Sequence, residues 1–266
     1  MFSNPFGSQF VSALGNSDGS VAYQDGPVFP QGGTAAPAPW DPLTISSGTV
    51  ILWLDPQQGV TMNGSNQVSL WEDQSPSGID FAQSTDANKY VYDATAINGV
   101  PGLVSTGTRS MSSSGTFSAT AGRYFFLVLK NDTDPSAGVN AAYVFDSVNF
   151  GSLIPYLNGV VYDAFGRNAG QTVGDLTDDL ATAFVYTVYT NTSVFTVWIN
   201  GVQVYTTGSP AGALAWPATL YLGGNGFGSF LGKYGDAIVV DSGAGALSGT
   251  DFDYILNGLK DKYAIA

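Results

Sequence analysis

The chain contains no cysteine and no histidine in its 266 residues. That excludes disulfides, thiolate zinc sites, cysteine nucleophiles, imidazole bases and haem ligation. The Ser-His-Asp hydrolase arrangement goes with them. Glutamate is almost missing too, Glu72 being the only one. Cations are scarce: 8 Lys and Arg face 21 Asp and Glu, for a formal charge of −13. An acidic surface repels phosphate backbones and anionic lipid, so neither nucleic acid nor a membrane surface is an expected partner. No apolar run approaches the roughly 20 residues that span a bilayer. The opening residues, Met1 to Phe6, lack the basic and then apolar segments of a secretory signal, so synthesis in the cytoplasm is expected.

What remains is rich in glycine, with 34 residues, and in aromatics, at 13%, which suits sheets and turns rather than helices. The clearest stretch runs from Phe184 to Asp241. Tyr186 to Tyr189 and Val194 to Ile199 read as strands. Asn200-Gly201 then leads into Val202 to Tyr205. Asn-Gly between such runs is the strongest short-range hairpin signal, because a type I′ turn needs positive φ at both central residues. Thr219 to Leu222, a glycine-rich turn over Gly223 to Gly235, and Asp236 to Asp241 follow.

Upstream, Val50 to Asp55 and Gln67 to Asp73 read as strands, with Gln74 to Gly78 as a turn between the latter and Phe81 to Gln83. Lys89 to Tyr92 is another short strand. Asn98-Gly99 and Pro101-Gly102 read as turns. Tyr124 to Leu129 is a continuous apolar run, as for a central strand buried on both faces. Ala142 to Asp146, Ser152 to Leu157 and Val160 to Phe165 complete the set, the last two joined by Asn158-Gly159. Strands recurring every 8 to 15 residues or so predict an all-β antiparallel sandwich or barrel.

Two segments depart from this pattern. Residues 1–47 are broken by Gly and Pro, including Gly26-Pro27, Pro30 to Gly33 and Ala35 to Pro39. They carry Phe2, Phe6, Phe10, Tyr23, Phe29 and Trp40, which favours an extended attachment or oligomerisation arm over a plain disordered tail. The sandwich is then expected over 48–266. At the other end, Phe252, Ile255, Leu256, Leu259 and Tyr263 form one apolar helical stripe. Ser248 and Asp251 resemble a capping box, and Lys260 and Lys262 suit its C-terminal end.

Ile51 to Asp55 followed by Val68 to Gly78, Leu153 to Gly166, Thr196 to Val202, and Gly235 to Val240 with the closing helix resemble, in this order, the concanavalin A-like lectin/glucanase jelly roll in its laminin G-like branch. The resemblance covers residues 50–265. It implies a jelly-roll sandwich of the type found in bacteriophage structural proteins. It also implies a virion-surface location as a capsid decoration or fibre, with other virion proteins such as the major capsid protein as partners and, since the face of this fold commonly binds glycans, host glycans as a ligand class. A closed homo-oligomer is expected, and a carbohydrate-binding adhesin or tail receptor-binding protein is the alternative.

Glycoside hydrolysis needs two carboxylates about 5 to 9 Å apart. Glucanases of this fold use a close glutamate pair, which one glutamate cannot supply, and Asp178-Asp179 would point to opposite faces of a strand. The chain is therefore read as non-enzymatic, without a resident cofactor. Asp73 and Asp80, flanking the Ser75 to Gly78 turn, are the candidate calcium ligands, with turn-stabilising Asx geometry preferred. Tyr143, Tyr156, Tyr162 and Trp216 are candidates for stacking on sugar rings where they point outward; the alternative is that they are half-buried sheet aromatics. Gly223 to Gly228 lacks the following helix of a dinucleotide loop and reads as a wide turn.

Overall fold

The fold was obtained as a computed structural model and is described for residues 40–117, 122–132, 141–145, 151–155, 159–175, 180–216, 219–224 and 230–266. The arm residues Phe2, Phe6, Phe10, Tyr23 and Phe29, together with Tyr156 and Asp178-Asp179, lie outside these.

In chain order the strands are β1 (Thr49–Leu54), β2 (Val60–Met62), β3 (Val68–Trp71), β4 (Phe81–Ala82), β5 (Val91–Ile97), β6 (Val100–Gly107), β7 (Ser110–Ser113), β8 (Gly122–Asn131) and β9 (Ala141–Phe145). Then come β10 (Gly151–Leu153), β11 (Val160–Asp163), β12 (Gln171–Asp175), β13 (Phe184–Thr190), β14 (Phe195–Ile199), β15 (Val202–Thr207), β16 (Leu220–Gly223) and β17 (Phe230–Gly243). One helix, α1 (Gly249–Lys262), closes the chain. The strands make two antiparallel sheets. The first has the order β15-β14-β13-β8-β17-β6-β5, with β1 also on β17; the second has β12-β11-β10-β9-β16-β7-β4-β3-β2. The fold is thus an antiparallel β-sandwich with a short C-terminal helix, a coarse fit to the concanavalin A-like jelly roll.

The continuous apolar run of β8 is explained by its two faces. Phe125, Leu127 and Leu129 enter the core between the sheets. Tyr124, Phe126 and Val128 enter a second core beneath α1. β13 alternates in the same way, Phe184, Tyr186 and Val188 against Val185 and Tyr189. Ile255, Leu256, Leu259 and Tyr263 bring the helix stripe into that second core, so the helix is held by tertiary burial more than by propensity.

The Asn200-Gly201 hairpin forms as expected, with φ of 51° and 87°, and joins β14 to β15. Two glycine readings are corrected. Pro101-Gly102 is not a turn but part of β6, opposite a register shift in β5, where a proline in a sheet is tolerated. The stretch read as a turn as far as Gly235 is already β17 from Phe230 onward. Gly235 is needed there because a Cβ would meet the Tyr263 ring and Val128 at 2.7 and 2.8 Å. Residues 40–47, grouped by composition with the arm, also belong to the sandwich: the compact unit begins at Trp40. Trp40 packs edge-on to Trp53 with ring centroids 6.2 Å apart, and Pro42–Thr44 forms a 3-10 turn capped by Asp41. Burying a tryptophan outweighs the weak local signal of its Pro-rich neighbours.

No helix among the described residues is long and apolar enough to cross a membrane.

Candidate functional site

Tyr143 does not point outward. It is fully buried between the sheets, and its hydroxyl donates to Asp163, 2.7 Å from either carboxylate oxygen. Asp163 also accepts from the hydroxyls of Ser152 (2.6 Å) and Tyr186 (2.6 Å) and from the Phe165 amide (2.7 Å). Burial raises the Asp163 carboxyl above the usual range, while its four donors pull it back. Burial, and then the neighbouring Asp163, pushes the Tyr143 and Tyr186 hydroxyls well above the ordinary phenol. Tyr143 is thus a core residue anchoring β9 to β11 and cannot offer its ring to a sugar.

Trp216 is half-buried, with its ring engaged inside the protein. The Arg123 guanidinium lies 4.5 Å from its centroid. Phe165 meets it edge-on at 5.0 Å, and a Cβ on Gly166 would overlap it. The ring therefore braces Arg123 rather than forming a stacking platform.

The candidate calcium ligands organise a turn. Asp73 Oδ1 accepts from the amides of Trp53 (2.8 Å) and Ser75 (2.8 Å). Its Oδ2 accepts from Ser75 Oγ (2.8 Å) and the Ile79 amide (2.9 Å). Two donors on each oxygen occupy the carboxylate's lone-pair directions and leave none aimed at a cation. Asp80 Oδ1 accepts from the Asp73 amide at 2.9 Å. The pair does not fit a calcium site, and no group of three or more potential ligands lies together among the described residues.

Among the described candidates, Tyr162 is the one that reaches an outer face. Val161 and Asp163 beside it are buried, so strand alternation turns Tyr162 outward. It lies opposite Leu153 on β10 and Thr172 on β12. Farther along the same face, Tyr221 of β16 stands between the buried Leu220 and Leu222, opposite Ser112. The row continues through Ala82, Leu70 and Thr61. None of these residues carries a charge, in a chain of formal charge −13. Tyr162 and Tyr221 are three strands and two residues apart, about 15 Å at normal strand spacing. The α1 side of the molecule is covered; this side presents aromatic rings, hydroxyls and small apolar groups. Tyr221 was missed from sequence, although the alternation of Leu220-Tyr221-Leu222 was there to find it.

No protein-family model matches the chain, and comparison with curated protein sequences gives no match. Solved structures share its fold. Domain 4 of AbnA, a GH43 extracellular arabinanase from Geobacillus stearothermophilus, solved with arabinotriose, superposes with a TM-score of 0.53 at 10% identity, covering 82% of this chain and 100% of that domain. The binding domain of botulinum neurotoxin DC, solved with rat synaptotagmin II, gives 0.53 at 14% identity over 79% of this chain and 51% of that one. An arabinofuranosidase solved with arabinofuranosyl-alpha-1,2-xylobiose gives 0.51 at 11% identity over 81% and 60%. This chain thus spans about three fifths of the arabinofuranosidase and half of the toxin domain. Identities this low show a common fold and nothing finer.

Proposed function

We propose that the chain is a non-enzymatic adhesion module that binds glycans on the outer face of its second sheet, along the uncharged row that runs from Tyr162 through Tyr221 to Thr61. The observation that carries this reading is the pair Tyr162 and Tyr221, half-exposed about 15 Å apart on one face. Aromatic rings pack on the C–H faces of sugars while hydroxyl neighbours such as Thr172 and Ser112 meet sugar hydroxyls. Two structural neighbours add support: the arabinanase domain was solved with arabinotriose and a botulinum neurotoxin DC binding domain with SialylT, the latter at a TM-score of 0.52. The absence of histidine and the single glutamate support a binding rather than a hydrolytic role.

The finer reading places the module on a bacteriophage particle, as a capsid decoration or fibre protein forming a homo-oligomer and held to other virion proteins by its N-terminal arm. It is supported by the four ordered sequence resemblances and the aromatic content of the arm. A tail receptor-binding adhesin is the rival placement.

A glycan array probed with the full chain and with Tyr162→Ala and Tyr221→Ala tests the binding role. At least one glycan class bound by the parent and weakened about tenfold by either change, a loss of about 1.4 kcal/mol, is expected; no binder, or binding indifferent to both changes, defeats it. Deleting residues 1–39 tests the placement: particle incorporation is lost and glycan binding kept if the arm is the anchor.

A further inference from the structure

We propose that Lys262, set between Asp55 and Asp236, condenses with the Asp55 carboxyl to form an intramolecular isopeptide bond that joins the end of α1 to the end of β1. This self-modification is independent of the glycan reading and uses none of the residues of the sheet face.

Strand register brings the three groups together. β1 runs antiparallel to β17 with Leu54 opposite Ala237, so Asp55 follows on beside Asp236. The last residue of α1, Lys262, then reaches both. Its Nζ stands 2.7 Å from Asp55 Oδ1 and 2.8 Å from Asp236 Oδ1. The Lys262, Asp55 and Asp236 side chains are only 13%, 3% and 0% exposed. The other lysine ion pair among the described residues, Lys89 with Asp86, has one carboxylate, and that one is 69% exposed. Water solvates that pair, and no second carboxylate is at hand to carry a proton.

One nitrogen between two carboxylates has one to attack and one to move its protons. Asp55 suits the first role. Its Oδ1 also accepts from the Gln57 amide at 2.8 Å, and its Oδ2 accepts from the Gln58 side-chain amide at 3.0 Å. Such donors stabilise the charge that grows on the oxygens when the carboxyl carbon is attacked. Asp236 suits the second. Burial, and then Asp55, pushes its carboxyl up to about 6, so it takes up a proton more readily than an ordinary aspartate. The Tyr263 hydroxyl at 2.6 Å and the Trp53 indole nitrogen at 3.1 Å fix its orientation.

The ion pair is the unlinked precursor. Asp236 takes one proton from the Lys262 ammonium and passes it to an Asp55 oxygen. The free amine attacks Asp55 Cγ, and the N–C bond forms. Asp236 relays a second proton from that nitrogen to the same oxygen, the C–O bond breaks, and one water leaves. Asp236 ends as it began, and no outside reactant is consumed. Groups held in a near-attack arrangement react as if at very high concentration, and a site this dry offers little water to reverse the step. The bond closes a loop from residue 55 to residue 262. It restrains the unfolded chain as a disulfide would, in a chain with no cysteine to make one.

The test is intact mass spectrometry of the folded full chain, beside Lys262→Arg and Asp236→Asn. The parent is expected to be lighter than its sequence by one water. Trypsin is expected to release a branched peptide joining residues 1–89 to residues 261–266. Lys262→Arg keeps the charge between the carboxylates and Asp236→Asn keeps the side-chain shape. Both are expected to fold, as read by near-ultraviolet circular dichroism, and to show the full sequence mass. A parent that keeps the full mass after prolonged incubation overturns the proposal, and this result needs neither variant to fold. So does a water loss that persists in Lys262→Arg, as from a succinimide at Asp18-Gly19 or Asp25-Gly26. A branch to residues 234–260, or linkage in Asp236→Asn at the parental rate, overturns the roles given to the two aspartates and the proposal with them.

Discussion

The indole of Trp40 lies in the notch that Gly258 leaves in α1. A Cβ at position 258 would overlap the indole ring, and the indole nitrogen donates to the Tyr254 carbonyl at 3.3 Å. Glycine inside a helix costs about 0.5–1 kcal/mol relative to alanine, so Gly258→Ala ought to stabilise an isolated helix. Here it is expected to destabilise the protein by about 1–3 kcal/mol through overpacking. In a Trp40→Ala background the same change should instead restore about 0.5–1 kcal/mol. Urea unfolding of the four variants measures this, and a stabilising Gly258→Ala in the parent would refute the docking.

Asp251 gives a second hold on the segment before β1. Ser248 caps α1 as its sequence predicts, accepting from the Asp251 amide at 3.1 Å. The Asp251 carboxylate, however, does not return to Ser248 as a capping box would; it accepts from the amides of Ser47 (2.6 Å) and Ser46 (3.1 Å). Hydrogen bonding from Ser47, and then from Ser46, holds its carboxyl below the usual range. A depressed carboxyl contributes stability that is present above the ordinary aspartate value and is lost as pH falls through the folded one. Asp251→Ala is therefore expected to lower the Tm at neutral pH, to flatten the acid limb of the Tm profile, and to speed amide exchange at Ser46 and Ser47. Unchanged exchange at those two amides would show that the carboxylate does not hold them.

Asp236 behaves oppositely. It is fully buried, and burial, then the nearby Asp55, pushes its carboxyl up to about 6 against the pull of Lys262 and Tyr263. Lys262 bridges it to Asp55, while the Tyr263 hydroxyl and the Trp53 indole nitrogen donate to it. With the folded value above the unfolded one, this group's contribution is fully present below about pH 4 and is lost as pH rises toward 6. The gap corresponds to about 3 kcal/mol. Asp236→Asn should remove this pH-dependent term, measured by urea unfolding between these limits. Lys262→Met should cost about 3–5 kcal/mol by leaving two carboxylates without their cation.

The elements legible in the sequence are those whose cause is local. Asn200-Gly201 announces its turn through backbone sterics, and Tyr124 to Leu129 announces burial on both faces by having no polar position to spare. The helix stripe from Phe252 to Tyr263 is equally plain. What escaped was set by distant partners. Gly235 and Gly258 look like breaks until Tyr263 and Trp40 are seen lying against them, and Pro101 looks like a turn until β6 runs through it. At the candidate site, residue type named Tyr143 and Tyr162 together, but only strand parity separates them: Tyr143 faces Asp163 in the core, whereas Tyr162, next to that aspartate, faces out.

That parity makes a discriminating prediction. Asp163→Ala leaves the hydroxyls of Tyr143, Tyr186 and Ser152 and the Phe165 amide without their shared acceptor. A buried network broken in this way should cost about 3–5 kcal/mol in chemical denaturation. Tyr143→Phe removes one of the four donors and no ring, and should cost about 1 kcal/mol. Because the Tyr143 ring is enclosed, Tyr143→Phe should leave glycan retention unchanged, whereas Tyr162→Ala should reduce retention and alter stability by less than about 1 kcal/mol. Retention lost in Tyr143→Phe while the denaturation midpoint stays fixed would place the ligand in the core side of β9 and overturn the assignment of the outer face.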